Sequence, residues 1–192
     1  ACNTMSVVAL ADLRARFTVP FVGVVPAVKP AVSLSRRKRV GVLATRRTVE
    51  GEYLRSLIVQ YATGCEVVSL SSSALVEFVE TGLYKASQRE REERVRGEVD
   101  RFLSEGIDAL VLGCTHFLHL EPEFRSLLDA EGIALVDSRE GVARQAARLL
   151  EERPQPEGVK DPDTLYVTGP LPLEERYPWF AGQFGLQLQA GP

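Results

Sequence analysis

The feature that most constrains the fold is a short apolar run that ends in a glycine, a cysteine and two polar donors, Asp108-Ala-Leu-Val-Leu-Gly-Cys114-Thr115-His116. A shorter copy of this ending, Ala1-Cys2-Asn3-Thr4, opens the chain. Both copies place a thiol where a buried strand would be followed by a helix. Ligands bind at that end of a strand in α/β folds, because backbone N–H groups and the positive helix terminus converge there. The pairing therefore predicts one ligand site shared by two similar lobes.

The remaining sequence alternates short apolar strands with helical patterns. The apolar runs predict strands at residues 21–25, 40–44, 66–70, 108–112, 134–136 and 165–168. Helical spacing and capping residues predict an amphipathic helix at 6–17, a short helix around Pro30, and helices at 53–61, 74–80, 86–104, from 121, at 141–153 and at 173–184. An exposed loop is predicted around Pro154, Pro156 and Pro162. Repeated βα units with continuous apolar strands imply parallel sheets covered by helices on both faces.

Size and charge restrict the class of protein. With 192 residues and 45% hydrophobic side chains, the chain can bury a sizeable core. The 23 basic and 26 acidic side chains give a net charge of −3, so there is no electrostatic case for a nucleic acid or an anionic membrane as partner. The basic run at 36–39 is interpreted as a solvated linker. The longest apolar stretch, 19–28, is broken by Pro20 and Pro26 and is too short to span a bilayer.

Cysteine usage points to a reducing cytoplasm. There are three cysteines and no C-x-x-C pair, which argues against a disulfide scaffold. Cys65 precedes an apolar strand without polar companions and is interpreted as structural. A thiolate at the start of a helix is stabilised by the helix dipole and free N–H groups, so Cys2 and Cys114 are expected to be low-pKa nucleophiles or bases. A single cysteine in such a place can equally be an inert core residue, but the two motifs together are more specific.

Two thiols on opposite faces of one molecule suit stereoinversion at an acidic carbon. One thiolate removes the proton, and the opposite thiol delivers another. The Cys114-x-His116-x-x-His119 spacing could supply metal ligands, but no fourth ligand is evident nearby. We therefore expect no metal.

Four motifs occur in one order along the chain: Ala1-Cys-Asn-Thr4, Gly41-Val-Leu-Ala-Thr45-x-x-Thr48, Leu112-Gly-Cys-Thr-His-Phe117 and Val136-Asp-Ser138. In this combination the sequence resembles the bacterial glutamate racemases of the cofactor-independent aspartate/glutamate racemase superfamily. The resemblance covers nearly the whole chain. It implies a cytoplasmic isomerase that interconverts L- and D-glutamate without pyridoxal phosphate or any other cofactor. Its product, D-glutamate, would serve peptidoglycan biosynthesis, cell wall organization and cell shape.

The resemblance also implies the fold and the roles of particular residues. The fold would be two flavodoxin-like, doubly wound parallel-sheet lobes related by pseudo-symmetry, with the active site between them. Cys2 and Cys114 would be the two proton donors and acceptors, and His116 would assist Cys114 and contact substrate. Glu80 is a weaker candidate for orienting His116. The remaining residues expected to bind the glutamate substrate are Asn3, Thr4, Thr48 and Thr115. Family members often dimerise, so a homodimer is a further expectation.

Two motifs of the family do not occur in this sequence: a first strand with Asp-Ser-Gly, and a Pro-Tyr-Gly segment. We therefore expect residues upstream of Ala1 to be missing and the first lobe to be incomplete. Residues 1–30 and 143–192 would be the remnant of that lobe, and residues 31–142 would form the second lobe. On this interpretation the chain could be a fragment with little or no activity. Leu118 and His119 replace the usual proline and apolar residues after Phe117, which affects the shape of the pocket.

Two alternatives remain open. The first is an aspartate- or hydantoin-type racemase of the same superfamily; His116 favours glutamate, because the aspartate-type enzymes resemble a Cys-Thr-Glu pattern at this position. The second is a non-catalytic α/β module that keeps the fold.

Overall fold

The structure is a computed structural model that describes residues 2–151, 162–169 and 171–191. The helices are α1 (Asn3–Arg16), α2 (Val28–Leu34), α3 (Arg46–Val49), α4 (Glu52–Tyr61), α5 (Ser73–Thr81), α6 (Gln88–Leu103), α7 (Glu121–Ala130), α8 (Arg139–Glu151) and α9 (Arg176–Gln183). The strands are β1 (Arg39–Ala44), β2 (Glu66–Ser71), β3 (Ala109–Leu112), β4 (Ala134–Val136), β5 (Thr164–Val167) and β6 (Gln187–Ala190). Two 3₁₀ helices lie at Leu83–Lys85 and Thr115–Leu120.

Four strands form a parallel sheet in the order β2-β1-β3-β4. This is the start of the flavodoxin-like strand order, in which ligands bind at the carboxyl ends of the strands. Side chains alternate between the two faces, since successive residues of a strand point in opposite directions. Leu43 and Leu112 lie in one core, whereas Val42 and Val111 lie in the other. The predicted α/β class with a parallel sheet between two helical layers is confirmed.

The two cores differ in size. On one face, α5, α6 and α7 cover the sheet with large side chains that include Phe78, Phe102 and Phe124. On the other face, α2 and α4 contribute smaller residues such as Ala31 and Leu54. The predicted solvated surface of α6 exists, but the helix also buries Val95, Val99 and Phe102 against the sheet.

The carboxyl ends of β1 and β3 approach each other closely at Gly113. The Gly113 N–H donates to the Leu43 carbonyl at 2.8 Å. A Cβ on Gly113 would lie 3.1 Å from the Ala44 Cβ and 3.2 Å from the Leu43 carbonyl oxygen. Glycine is therefore the residue that fits between the strand ends, and it brings the turns after β1 and β3 side by side.

The amino-terminal segment differs from the prediction. Helix α1 begins at Asn3 rather than near residue 6, and Asn3 is its only buried residue. The predicted strand at 21–25 is wrong, because this segment has no strand assignment. A strand needs a neighbour to complete its hydrogen bonds, and no described strand lies beside it. Instead, the Val24 N–H donates to the Ser6 hydroxyl of α1 at 2.9 Å.

The carboxyl-terminal segment adds a two-stranded parallel sheet made of β5 and β6. Strand β6 was not predicted, because Gln187-Leu-Gln-Ala190 alternates glutamines with apolar residues and contains no continuous apolar run. Helix α9 is shorter than the predicted 173–184.

Pro154, Pro156 and the end of the 141–153 helix lie outside the described residues, as does Ala1. The division into lobes at 1–30 with 143–192 and at 31–142 stays a prediction. No helix in the described ranges is long and apolar enough to cross a membrane.

Candidate active site

Cys114 follows β3 directly and is the residue before the 3₁₀ helix Thr115–Leu120. It is buried, with 5% of its surface exposed. Burial raises the pKa of the Cys114 thiol; the N–H groups of His116 and Phe117 lower it, but the net shift is upward. The expectation of a low pKa is therefore wrong for Cys114, because burial outweighs the amide donors at the helix start. The sequence pattern shows the donors but not the depth at which the thiol is buried.

A chain of side chains extends from this thiol. The Cys114 Sγ lies 3.4 Å from the His116 Nδ1, and the His116 Nε2 lies 2.6 Å from the Glu80 Oε1. Glu80 is on the last turn of α5, a helix that starts where the Ser72 hydroxyl accepts the Leu75 N–H at 3.1 Å. An ionised carboxylate can only accept, so it favours the tautomer with the proton on Nε2. The Nδ1 atom is then free to interact with the thiol.

Cys2 occupies the N-cap position of α1. Its Sγ accepts the Met5 N–H at 3.3 Å, so the thiol sits at the positive end of a helix. Cys2 is half-buried. A charge on Cys2 is among the causes that raise the pKa of Cys114, after burial. The two thiols are therefore electrostatically coupled.

Three threonine hydroxyls join the start of α1 to the turn after β1. The Thr4 Oγ1 lies 3.1 Å from the Thr45 Oγ1 and 3.3 Å from the Thr48 Oγ1, and the last two atoms are 3.0 Å apart. Thr48 is 5% exposed. Thr45 was not among the predicted site residues, although a threonine directly after a strand and before a helix is a typical N-cap. Here the Thr45 hydroxyl accepts the Thr48 N–H at 3.3 Å.

Asn3 lies between Cys2 and Thr4 and is 3% exposed. Its side-chain oxygen has no hydrogen-bond partner within the part of the chain that the structure describes. Buried amide oxygens are almost always paired, so the Asn3 oxygen offers an acceptor beside the Cys2 thiol.

Thr115 and His119 lie in different surroundings, although both follow Cys114 closely in the chain. Thr115 is half-buried and begins the 3₁₀ helix beside Cys114. His119 instead packs against Phe180 and Phe184, with ring centroids 4.9 Å and 6.0 Å away. Burial lowers the pKa of His119. Residues 2–151, 162–169 and 171–191 contain no His, Cys, Asp and Glu group that could hold a metal ion.

Arg176 is a member of this cluster that sequence reasoning missed. It begins α9 and lies 96 positions after Glu80 in the chain. Its Nη1 donates to the Glu80 Oε2 at 3.0 Å and to the Glu80 carbonyl at 3.1 Å. No local pattern in the sequence links the two residues, because their contact depends on how α9 packs.

Comparison with known proteins identifies the family. The family described as Asp/Glu/Hydantoin racemase matches residues 1–146. The chain is 40% identical to the glutamate racemase of Treponema pallidum over 189 residues, which cover 97% of this chain and 69% of the relative. It is 44% identical to the glutamate racemase of Pectobacterium carotovorum over 174 residues, covering 90% of this chain and 60% of the relative.

A solved structure gives the same result. The Escherichia coli glutamate racemase in complex with L-glutamate and the activator UDP-MurNAc-Ala superposes with a TM-score of 0.83 and 34% identity. The match covers 98% of this chain and 72% of that chain. Its fold is therefore shared almost throughout the chain described here. The chain belongs to the Asp/Glu/Hydantoin racemase family and groups within it with the glutamate racemases, which are amino-acid isomerases.

Proposed function

We propose that this chain interconverts L- and D-glutamate by proton transfer between Cys2 and Cys114. The observation that carries the proposal is the contact of the Cys114 Sγ with the His116 Nδ1 at 3.4 Å, together with the coupling of this thiol to Cys2. A structural cysteine would not need an imidazole held by a carboxylate.

In each direction of the reaction, one thiol acts as the base and the other as the acid. A Cys2 thiolate removes the α-proton from one face of the substrate, and the Cys114 thiol delivers its own proton to the other face. The raised pKa of Cys114 keeps this thiol protonated and ready to donate. The proton count balances, because Cys2 ends as a thiol and Cys114 as a thiolate. The reverse reaction, or exchange with water, restores the first state.

His116 stabilises the charge that develops on Cys114. When Cys114 has given its proton to the substrate, His116, which is neutral at rest with its proton on Nε2, takes a proton from solvent at Nδ1 and donates that N–H to the thiolate, while Glu80 balances the imidazolium at Nε2. The same pair can accept a proton from Cys114 before it acts as base. We propose His116 as a catalytic residue and Glu80 as a residue that positions it.

Polar groups near the two thiols are suited to hold an amino acid. The unpaired Asn3 side-chain oxygen can accept from the ammonium group of the substrate. The hydroxyls of Thr4, Thr48 and Thr115 can donate to its carboxylates, and Thr45 holds Thr48 in place. Fixed donors near the α-carboxylate stabilise the carbanion that proton removal creates.

Glutamate is supported as the substrate by the names of the relatives and by the complex of the Escherichia coli enzyme with L-glutamate. The reaction needs no pyridoxal phosphate. We propose a cytoplasmic location and a role in supplying D-glutamate for peptidoglycan, as the resemblance implies. Association of two copies stays a prediction.

The test is exchange of the glutamate α-proton with solvent deuterium, followed by NMR. We expect exchange by the parent chain and a loss of about a thousandfold or more in Cys2→Ser and in Cys114→Ser, because each thiol is a general acid or base. Cys65→Ser is the matched control and should keep the parent rate. Exchange that survives both site variants would refute the two-thiol mechanism.

The same assay distinguishes the alternatives. Faster exchange with aspartate or a 5-substituted hydantoin than with glutamate would indicate the other racemases of the family. No exchange with any of the three would favour a non-catalytic module.

A further inference from the structure

Glu80 is held from two sides. One carboxylate oxygen, Oε1, contacts the His116 Nε2 at 2.6 Å, and the other, Oε2, accepts from the Arg176 Nη1 at 3.0 Å. The same Nη1 also reaches the Glu80 main-chain carbonyl at 3.1 Å. Arg176 therefore fixes both the side chain and the backbone of Glu80, at the end of α5.

Arg176 is itself held in place. Its side chain is 19% exposed, and its Nη2 donates to the Glu174 carboxylate at 2.9 Å and to the Tyr177 hydroxyl at 3.2 Å. Its Nε is buried without a partner in the described residues. An unpaired buried donor costs stability, so the side chain keeps this position at the expense of one hydrogen bond. A surface arginine would avoid that cost by moving into solvent.

We propose that Arg176 is a positioning residue that locks the Glu80 carboxylate and thereby fixes the tautomer and orientation of His116. The inference rests on the role proposed above for His116 beside Cys114. It assigns helix α9, which belongs to the carboxyl-terminal segment, a direct part in the Cys114 half of the site.

Two effects of the guanidinium oppose each other. Its positive charge offsets part of the negative charge of the Glu80 carboxylate. Glu80 therefore stabilises a His116 imidazolium less strongly. Its fixed position, however, prevents the carboxylate from rotating away. Glu80 is 44% exposed at its side chain, so without Arg176 water competes for both of its oxygens. Orientation is therefore the larger effect, and loss of Arg176 weakens the His116 contact.

The test uses the full chain and two readouts that do not require racemase activity. The first is the ¹H–¹⁵N correlation spectrum of the imidazole rings, which reports the tautomer of each histidine. The chain has two histidines, so His119→Gln assigns both signals. The second readout is the rate at which iodoacetamide alkylates Cys114, measured by peptide mass spectrometry. Cys65 in the same sample is the internal control.

We expect the parent to show His116 as the Nε2–H tautomer. In Arg176→Ala, His116 becomes a mixture of tautomers, and alkylation of Cys114 slows about tenfold, the equivalent of one hydrogen bond to a charged group. Arg176→Lys keeps the positive charge but loses the planar guanidinium with its several donors. Its tautomer populations and its rate of Cys114 alkylation should lie between those of the parent and of Arg176→Ala. Arg101→Ala is the matched control, because it removes a guanidinium paired with a carboxylate, that of Glu98 at 2.7 Å, which contacts neither Glu80 nor His116; it should match the parent.

Unchanged tautomer and alkylation rate in Arg176→Ala, with both changed in Glu80→Gln, would overturn the inference. If the alanine variant unfolds, Arg176→Lys and Arg176→Gln decide by the same readouts. Failure of the proposed function is distinguishable: the tautomer would still depend on Arg176 while no glutamate exchange occurred in the parent.

Discussion

The two cysteine-bearing ends share a sequence pattern, but the chain packs around them differently. Cys114 follows β3, a strand whose four residues are all buried. Cys2 precedes α1, in which Asn3 is the only buried residue and Met5 and Val8 are 59% and 50% exposed. The surroundings of Cys114 are therefore set by burial and by groups that tertiary packing brings to His116, such as Glu80, whereas a local helix cap sets the surroundings of Cys2.

Because of this difference, the same cysteine motif does not give the two thiols the same acid–base properties. A helix start stabilises a thiolate, but burial in a tight core opposes that effect. At Cys114 burial dominates and raises the pKa of the thiol, which we propose is a proton donor supported by His116. The following predictions compare the packed Cys114 end with the open Cys2 end.

The largest difference in stability between the two ends is expected when a buried side chain is truncated. Phe102→Ala removes a fully buried ring beneath the sheet, and we expect a loss of about 3 to 5 kcal/mol in the free energy of unfolding. Val8→Ala on α1 is the counterpart and should stay within about 0.5 kcal/mol, because its side chain is half exposed. Urea unfolding followed by circular dichroism measures both. Equal losses would mean that the Cys2 end is as well packed as the Cys114 end.

Asp108 anchors the start of the Cys114 strand. Its carboxylate accepts the Ser35 hydroxyl and the N–H groups of Arg36 and Arg37, the last two at 2.7 Å and 2.6 Å. Burial raises the pKa of Asp108, but these donors outweigh it and leave the pKa below its ordinary value.

Asp108→Asn should therefore cost about 1.5 to 3 kcal/mol at neutral pH, because an amide group would face the N–H donors. A lowered pKa in the folded state means that this stability is present above the pKa of the unfolded chain and is lost as the pH falls through the folded pKa. The variant should thus differ less from the parent in acid. Arg14→Gln removes the exposed contact of Arg14 with the Phe21 carbonyl, 3.0 Å long, and should change stability little. A constant Asp108 effect at all pH values would contradict the assignment.

Gly41 and Gly23 differ in the room that their surroundings leave for an added Cβ. A Cβ on Gly41 would lie 2.7 Å to 2.9 Å from Phe102, Ile107 and Leu110, all in the packed core. Gly41→Ala should therefore cost about 1 to 3 kcal/mol. On Gly23 a Cβ would also clash, but with the end of the Leu10 side chain, at 2.5 Å, which can rotate. Gly23→Ala should cost less than Gly41→Ala in thermal unfolding, and the reverse order would contradict the account.

The sequence predicted the parallel sheet well, because its strands are continuous apolar runs. The runs at 40–44, 66–70, 108–112 and 134–136 each match a strand within about one residue at either end. The run at 21–25 is as apolar but forms no strand, since hydrogen bonding to a neighbour, and not apolarity, makes a strand. Patterns within one segment cannot report whether a neighbour exists.

The site could be predicted only in part, for a related reason. Cys114 and His116 are two positions apart and end one strand, so the pattern identifies both. Glu80 was a weak candidate because its contact depends on how α5 packs beside the 3₁₀ helix Thr115–Leu120. Arg176 carried no signal at all. The direction of the Cys114 pKa shift also required the depth of burial, which a sequence does not give.

The central claim is that Cys2 and Cys114 face one site, and the pH dependence of Cys114 alkylation tests it directly. Alkylation is followed by peptide mass spectrometry in the parent chain and in Cys2→Ser, with Cys65→Ser as control. We predict that the parent Cys114 titrates above the ordinary cysteine pKa, because burial and the Cys2 charge both raise it. In Cys2→Ser the pKa of Cys114 should fall, since one of these causes is removed, and in Cys65→Ser it should not change. An unchanged or higher pKa in Cys2→Ser would contradict a shared two-thiol site.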